Sequence, residues 1–295
     1  MKKIFGVIRA PFLLLTPVCV FLGAAVAAVS GSVVQWSNLS IVLVAALAGH
    51  ISVNALNEYV DFKSGLDAIT PKTPFSGGSG VLPLYPDFAE TALWVGIVTL
   101  VLCSGCGIYL ISTAGWGLLP LGIIGALTVV CYTPWINRNA VLCLFAPGVG
   151  FGLVMVLGTQ YALTSTFTLQ GYWAACLPTL LVSNLLLLNQ FPDVEADRTV
   201  GRSNVPIRMG RAASAKVFGL MLLLAYGSVV VAVLSGVLPG LSLLALLTMP
   251  VAGMVFQRVS QLANTPEKLT RWLGLNVALV LTTPVLLGLG IIFSA

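Results

Sequence analysis

The stretch NLSIVLVAALAGHISVNALNEYVDFKSGLD, residues 38–67, joins a long apolar run to a cluster of acidic side chains. A second stretch, NQFPDVEADRTVGR at residues 189–202, ends another apolar run in a similar pattern. Apolar runs of about 20 residues are long enough to cross the roughly 30 Å hydrocarbon core of a bilayer as helices. The first stretch therefore predicts a membrane-spanning helix that carries acids at one end.

The composition of the whole chain agrees with this prediction. Of the 295 residues, 58% are hydrophobic and only 8% are charged, whereas a soluble globular protein has about 25% charged residues. We expect a single all-α integral membrane domain over residues 1–295, with nine transmembrane helices around a central cavity. The nine predicted spans are 10–30, 38–59, 88–112, 115–133, 140–162, 172–191, 214–236, 241–262 and 271–293.

The charged residues predict an orientation in the membrane. With nine spans, all fourteen Lys and Arg and all nine Asp and Glu fall on the side of the N-terminus. The positive-inside rule assigns that side to the cytoplasm. We therefore expect a prokaryotic cytoplasmic membrane protein, with cytoplasmic active-site loops at 61–87 and 192–213 and the C-terminus on the opposite side. This basic face explains the net charge of +5, and no aromatic-basic motif indicates nucleic acid binding.

The first acidic motif places several polar side chains on one helix face. Asn57 and Asp61 are four residues apart, and Asn54 lies on the neighbouring part of that face. Gly65 permits a turn, which would bring Asp67 back toward the same place. In the second motif Asn189, Asp193 and Asp197 repeat every four residues. We expect them to form a polar stripe two helical turns long.

Acids clustered at the end of a membrane helix need a compensating charge. An acid costs about 2.5–3.5 kcal/mol at the bilayer centre on insertion scales. Either basic side chains or a divalent cation can offset this cost. Carboxylate and amide oxygens suit Mg²⁺, which usually keeps water ligands and shares substrate phosphates. One such motif would indicate only a solvated helix end, but two matched motifs favour a functional site.

The paired motifs resemble those of the UbiA-type membrane prenyltransferases. The resemblance rests on N-x-x-x-D-x-x-x-x-x-D at residues 57–67 and on D-x-x-x-D followed by a glycine and a basic residue at 193–202. RAPFLLLTP at 9–17 and DVEADRTVGRSNVPIRMG at 193–210 are most similar to the branch that prenylates 1,4-dihydroxy-2-naphthoate. Glu58, Arg202 and Asn204 depart from common residues of the family. These departures leave the acceptor open.

The resemblance implies a reaction and a set of site residues. The reaction is transfer of a polyprenyl group from its diphosphate to an aromatic acceptor. Two Mg²⁺ ions would be held by Asn57, Asp61 and Asp67 on one side and by Asp193 and Asp197 on the other, with the four aspartates acting in catalysis. Diphosphate would contact Lys72, Arg198 and Arg202, with Lys63 and Arg138 behind them. Further substrate contacts would come from Asn54, Asn189, Tyr59 and Tyr132.

Several features have two interpretations. Gly77, Gly78 and Gly80 permit either an anion-binding loop or a moving lid. Small residues at 146–158 permit either an apolar groove or close helix packing. The only histidine, His50, favours a buried hydrogen bond over catalysis, and the Cys103/Cys106 pair favours packing over a metal or redox role.

Other classes of protein remain as alternatives. A secondary transporter also carries intramembrane acids, although here the acids cluster at one interface instead of the midplane. A structural membrane protein leaves both motifs unexplained. Within the same family, other acceptors such as 4-hydroxybenzoate, homogentisate or a lipid phosphate remain open, as do a haem-modifying enzyme and a terpene cyclase.

Overall fold

The computed structural model describes residues 2–294, and within that range every regular element is a helix. Eight helices are long and apolar enough to cross a membrane. We number them with one shorter apolar helix, α4, in chain order: α1 (Ala10–Ala28), α2 (Asn38–Lys63), α3 (Pro86–Ala114), α4 (Leu118–Cys131), α5 (Ala140–Thr164), α6 (Leu169–Asn189), α7 (Arg211–Leu234), α8 (Gly240–Leu262) and α9 (Thr270–Ile292).

The fourth predicted span differs from the others in length. It contains α4, which has 14 residues. At a rise of 1.5 Å per residue this helix is about 21 Å long, less than the roughly 30 Å of a hydrocarbon core. The structure therefore supports eight candidate spans in the described residues, and the count of nine stays a prediction.

The helices form a closed bundle with α6 at its centre. Leu177, Leu181 and Leu188 of α6 are fully or almost fully buried, and α6 packs against α1, α5, α7 and α9. Helix α9 also packs along α1, so the last span meets the first. Large apolar side chains such as Trp94 and Leu223 face outward, as expected where the surrounding medium is lipid.

The small residues of α5 serve both of the purposes expected from the sequence. Pro147 lies inside this helix, and a π-helical stretch follows at Val149–Leu157. Gly148 and Gly152 lie against Thr179 of α6, where an added Cβ would come within 1.9 Å of its carbonyl or hydroxyl oxygen. Gly150 instead lines the central cavity. Close packing and space for a ligand thus alternate along one helix.

Helix α2 continues further than predicted. It ends at Lys63 and not at 59, so Asp61 is a helical residue. Gly65 follows with φ of 78°, a left-handed conformation that glycine adopts without a steric penalty. The chain then reverses into the short helix Leu66–Ile69, which carries Asp67.

The expected two-turn stripe in the second motif is wrong as a helical feature. Helix α6 ends at Asn189, and a separate short helix spans Val194–Thr199. Pro192 explains the break, because it has no N–H to donate and it disfavours a helical conformation in the residue before it. The helix Val194–Thr199 packs against Leu66–Ile69, so the two acidic loops meet at one end of the bundle.

Candidate active site

A cavity of about 560 Å³ opens between the helices and has a polar and an apolar end. The polar end contains the five predicted metal ligands, Asn57, Asp61, Asp67, Asp193 and Asp197. The walls away from this end are apolar and include Val42, Leu110, Leu118, Val154 and Leu281. The structure therefore brings the two acidic motifs together on one cavity.

Arg202 joins the two motifs directly. Its guanidinium donates to Asp61 of the first motif and, at 2.8 Å, to Asp197 of the second. Its side chain is only 17% exposed, and those of the two aspartates are 8% and 4% exposed. Asn204 donates to the other oxygen of Asp197 at 2.9 Å. The neighbouring negative charges hold the pKa of Arg202 above its ordinary value although burial lowers it, so the guanidinium stays charged between the acids.

Asp67 and Asp193 are less well compensated. Within the described residues, Asp67 Oδ2, Asp193 Oδ1 and Asn189 Oδ1 are buried and have no hydrogen-bond partner. Burial, followed by repulsion from neighbouring carboxylates, raises the pKa of each aspartate to about 7. A buried acceptor without a donor is costly. Each of these oxygens would therefore be stabilised by a positive ligand in the cavity that all three residues line.

The glycine-rich segment 76–80 lies against these acids. Gly77, Gly78 and Gly80 all have positive φ angles, between 74° and 81°. The N–H of Gly77 donates to Asp193 Oδ2 at 3.2 Å. A Cβ on Gly78 would come within 2.6 Å of Asp67 Oδ1. The absence of a side chain at Gly78 thus lets the backbone approach Asp67, and the backbone N–H of Gly77 bonds Asp193.

The polar contacts predicted from the sequence divide into two groups. Asn54, Asn57, Asn189 and Tyr132 line the cavity. Asn57 donates to Thr133 Oγ1 at 3.1 Å, which fixes the orientation of its amide. Tyr59 does not line the cavity and packs among apolar residues on the other side of α2. The face of α2 that meets the cavity is therefore the one that carries the asparagines.

Of the five predicted diphosphate ligands, only Arg202 lines the cavity. Lys63 pairs with Glu90 at 3.5 Å, and Arg198 lies 4.0 Å from Glu195. Both side chains are more than half exposed. Lys72 and Arg138 are also exposed, and Lys72 folds over Gly80. In this structure, these four residues surround the site without reaching into it.

Several residues that line the site were not predicted as site residues from the sequence. Arg9 lines the cavity, and its guanidinium donates to Glu58 at 2.9 Å and to Asn57 at 3.3 Å. Ser76, Asn137, Gln190 and Asn204 also line it. Only Arg9 had a visible signal, because a charged residue directly before an apolar run is unusual unless it has a partner.

The group expected at this site is Mg²⁺, and the residues present fit it. Among residues 2–294, no three His, Cys, Asp or Glu side chains lie so that they could hold a metal ion by themselves. Mg²⁺ does not require such a group, since it usually binds one or two carboxylates and completes its shell with water and substrate phosphates. The unpartnered oxygens of Asp67, Asp193 and Asn189 are hard ligands of the kind that Mg²⁺ prefers.

His50 and the cysteine pair have structural surroundings. His50 Nδ1 lies 2.9 Å from Thr16 Oγ1, and the ring meets the edge of Phe151 at 4.7 Å between centroids. Cys103 and Cys106 are free thiols on α3. Both His50 and Cys103 touch the apolar part of the cavity, so each is a wall residue there.

Comparison with known proteins gives one curated relative. It is the 1,4-dihydroxy-2-naphthoate octaprenyltransferase of Bacillus subtilis (strain 168), which is 26% identical over 199 residues. The aligned region covers 63% of this chain and 59% of the relative, so it spans less than two thirds of the relative's length.

Solved structures share the fold. The apo structure of a UbiA homolog from Aeropyrum pernix K1 has a TM-score of 0.66 at 17% identity, covering 95% of this chain and 97% of that one. A UbiA homolog from Archaeoglobus fulgidus bound to GPP and Mg²⁺ has a TM-score of 0.63 at 14% identity, covering 99% of both chains. The model of the UbiA prenyltransferase family matches residues 16–287. Because this match includes nearly the whole helical bundle, the chain belongs to the UbiA prenyltransferase family.

Proposed function

We propose that this protein transfers a polyprenyl group from a polyprenyl diphosphate to an aromatic acceptor in quinone biosynthesis of the menaquinone type. Transfer forms a carbon–carbon bond and releases diphosphate, and it depends on Mg²⁺. Support comes from the family, from the naphthoate prenyltransferase among its relatives, and from the fold shared with a protein bound to GPP and Mg²⁺.

One observation carries the proposal. Buried carboxylate oxygens of Asp67 and Asp193, one from each motif, have no donor among the described residues and lie at the polar end of a largely apolar cavity. A prenyl diphosphate has the same division, with a highly charged head and an apolar tail. Cation ligands at the head and apolar walls along the tail therefore match this substrate class in both chemistry and order.

The acids would hold the divalent cations. Asn57, Asp61 and Asp67 would bind one ion, and Asp193 and Asp197 the other. Bound Mg²⁺ supplies the positive charge that makes diphosphate a better leaving group. Among the basic residues, Arg202 is best placed to contact the phosphates. Its guanidinium lies between the two motifs, and its forked donors match phosphate oxygens.

The cavity protects the reacting carbon after the diphosphate departs. Departure leaves an allylic cation, which water would capture if it entered. Phe75 and Phe151 line the cavity, and their apolar rings disfavour water there. Tyr132 also lines the cavity, and the face of an aromatic ring stabilises a cation. The electron-rich acceptor ring then attacks, and its displaced proton passes to the released diphosphate, which restores aromaticity.

The orientation follows from the charge distribution. Basic residues lie at or near the ends of the helices on the side of the acidic loops, and loops on the other side have none. By the positive-inside rule the active site and the N-terminus face the cytoplasm. With this orientation, soluble diphosphate would leave on the cytoplasmic side, while the tail stays in the bilayer.

The proposal is tested with purified protein, geranylgeranyl diphosphate, Mg²⁺ and a panel of aromatic acceptors that includes dihydroxynaphthoate. Products are identified by mass spectrometry. We expect prenylated dihydroxynaphthoate and diphosphate, both lost with EDTA and in the Asp61→Asn and Asp193→Asn variants. Full activity of either folded variant would contradict the assignment.

Other outcomes separate the alternatives. Prenyl transfer to a different acceptor, including a lipid phosphate, would retain the enzyme class and replace the acceptor. If the protein binds the prenyl diphosphate but releases no diphosphate with any acceptor, a transporter is favoured over an enzyme.

A further inference from the structure

Glu58 belongs to the first acidic motif by position but does not lie at the cavity. It follows Asn57 directly on α2, and its side chain is fully buried. It is absent from the cavity lining that its neighbours Asn57 and Asp61 share. A buried carboxylate is costly unless it is paired and hydrogen-bonded, so its partners decide what it does.

The carboxylate of Glu58 is satisfied by two segments outside α2. Oε1 accepts from Arg9 Nε at 2.9 Å and from the backbone N–H of Ser79 at 2.8 Å. Oε2 accepts from the hydroxyl of Ser79 at 2.6 Å. Both oxygens are therefore engaged, in contrast to the unpartnered oxygens of Asp67 and Asp193. Glu58 is arranged to hold protein groups and not a cation.

Ser79 connects this contact to the segment over the acids. It lies within the run from Gly77 to Gly80, and its hydroxyl also accepts from the N–H of Val81 at 3.2 Å, at the start of the helix Val81–Leu84. Two residues earlier, Gly77 donates to Asp193. The segment 76–80 thus has two anchors on acids, Glu58 at one end and Asp193 at the other.

These two anchors differ in how they respond to the reaction. Asp193 is one of the proposed Mg²⁺ ligands, so its bond to Gly77 competes with the cation. Glu58 is not a proposed Mg²⁺ ligand and does not line the cavity, and its charge is balanced by Arg9 at 2.8 Å. Arg9 is itself held in a left-handed conformation, with φ of 51°. The bonds from Ser79 to Glu58 are therefore not in direct competition with a cation on the aspartates.

We propose that Glu58 is a positioning residue that fastens the 76–80 segment over the carboxylates through Ser79 and keeps it closed while substrate is bound. This inference rests on the proposed function, since closure matters because it shields the diphosphate head and the allylic cation from water. Glu58 itself touches neither the substrate nor the metal.

The test compares two variants with matched controls. Glu58→Gln keeps the size of the side chain and removes its charge, and Ser79→Ala removes one hydroxyl. Glu267→Gln and Ser112→Ala change an exposed acid and an exposed serine, neither of which contacts the site. Hydrogen exchange of residues 74–81 is measured on the full-length protein with Mg²⁺ and a non-reactive prenyl thiodiphosphate, alongside steady-state kinetics.

We expect exchange at residues 77–80 to accelerate on the order of tenfold in both site variants, as for loss of one charge-assisted hydrogen bond. The KM for prenyl diphosphate should rise more than kcat falls, and prenyl alcohol from water attack should increase. Both controls should match the unmodified protein. Ser79→Ala is the less disruptive change, so it decides the question if Glu58→Gln does not fold.

Unchanged exchange at 77–80 in Ser79→Ala would overturn the proposal. A lower melting temperature for Glu58→Gln without faster exchange there would also overturn it, because that pattern indicates a structural role alone. Faster exchange in both variants, in a protein that transfers no prenyl group to any acceptor, would retain the positioning role and refute the proposed function instead.

Discussion

Replacing Arg202 by glutamine should expose how strongly the two acidic motifs repel each other. The guanidinium is the cationic partner that bonds both Asp61 and Asp197, and all three side chains are mostly buried. Removing one partner of a buried ion pair costs about 3–5 kcal/mol, because it leaves an uncompensated charge. For a domain of this size, roughly 2 °C of melting temperature per kcal/mol predicts a loss of about 6 °C or more in EDTA.

Mg²⁺ should reverse part of that loss. In Arg202→Gln, the carboxylates of Asp61 and Asp197 have lost their cationic partner. A bound cation then compensates more of their charge than it does in the unmodified protein, so binding stabilises the folded state more. Added Mg²⁺ should therefore raise the melting temperature more in the variant than in the unmodified protein. The assay is thermal unfolding in detergent, followed by tryptophan fluorescence, with EDTA or with millimolar Mg²⁺.

Lys63→Gln is the matched control for this experiment. Lys63 and Glu90 are 53% and 65% exposed, and exposed pairs contribute only about 0–1 kcal/mol. This control should melt close to the unmodified protein in both conditions. If Arg202→Gln melts like Lys63→Gln in EDTA, the guanidinium does not compensate the two motifs and this account of the site is wrong.

Three further predictions concern the same cavity. Burial raises the folded-state pKa of Asp193 from 3.8 to about 7, so the metal-free folded protein binds more protons than the unfolded chain between about pH 4 and 7 and loses stability as pH rises through that window. Asp67, whose pKa burial also raises to about 7, contributes in the same window, so Asp193→Asn should weaken this dependence by about half. Gly78→Ala should lower Mg²⁺-dependent activity at least tenfold, because φ of 75° and a carboxylate oxygen 2.6 Å from the new Cβ both oppose it. Tyr59→Phe should keep activity within about twofold, whereas Tyr132→Ala should lose about tenfold or more, since only Tyr132 lines the cavity.

The controls for these predictions are direct. Equal pH dependence of the melting temperature in Asp193→Asn and the unmodified protein would contradict the assigned burial effect. Gly105→Ala, at a helical position with open space around it, should be fully active. Activity of Gly78→Ala equal to that of Gly105→Ala would show that the loop does not lie as described. A larger loss of activity in Tyr59→Phe than in Tyr132→Ala would show that Tyr59 lies on the side of α2 that faces the cavity, contrary to this account.

The helices were predictable because membrane length and apolar composition are local properties of the sequence. The predicted start of α2 at residue 38 agrees with the structure. Within one continuous helix, residue spacing correctly predicted which site residues lie together. Asn57 and Asp61 share a helix face because they are four residues apart. In the second motif the spacing argument failed, because the helix ends before Pro192 and a separate short helix follows. Tertiary packing, and not a continuous helix, brings Asn189, Asp193 and Asp197 to the same cavity.

Contacts between distant segments were beyond the sequence. Nothing local to Arg9, Glu58 or Ser79 indicates that they meet, because 49 residues separate the first two and 21 the last two. The same limit applies to the basic residues. Lys63 and Arg202 are equally suitable phosphate ligands by type, and only the fold directs Arg202 inward and Lys63 toward Glu90.

The central claim is that the two acidic motifs are halves of one Mg²⁺–diphosphate site. The most direct measurement is the affinity of a non-reactive prenyl thiodiphosphate, with Mg²⁺ and with EDTA, for the unmodified protein and for Asp67→Asn, Asp193→Asn and Glu267→Gln. We predict Mg²⁺-dependent binding that is weakened at least tenfold by either aspartate variant and unchanged by Glu267→Gln. Binding that persists in EDTA, or that only one of the two motifs affects, would contradict a shared site.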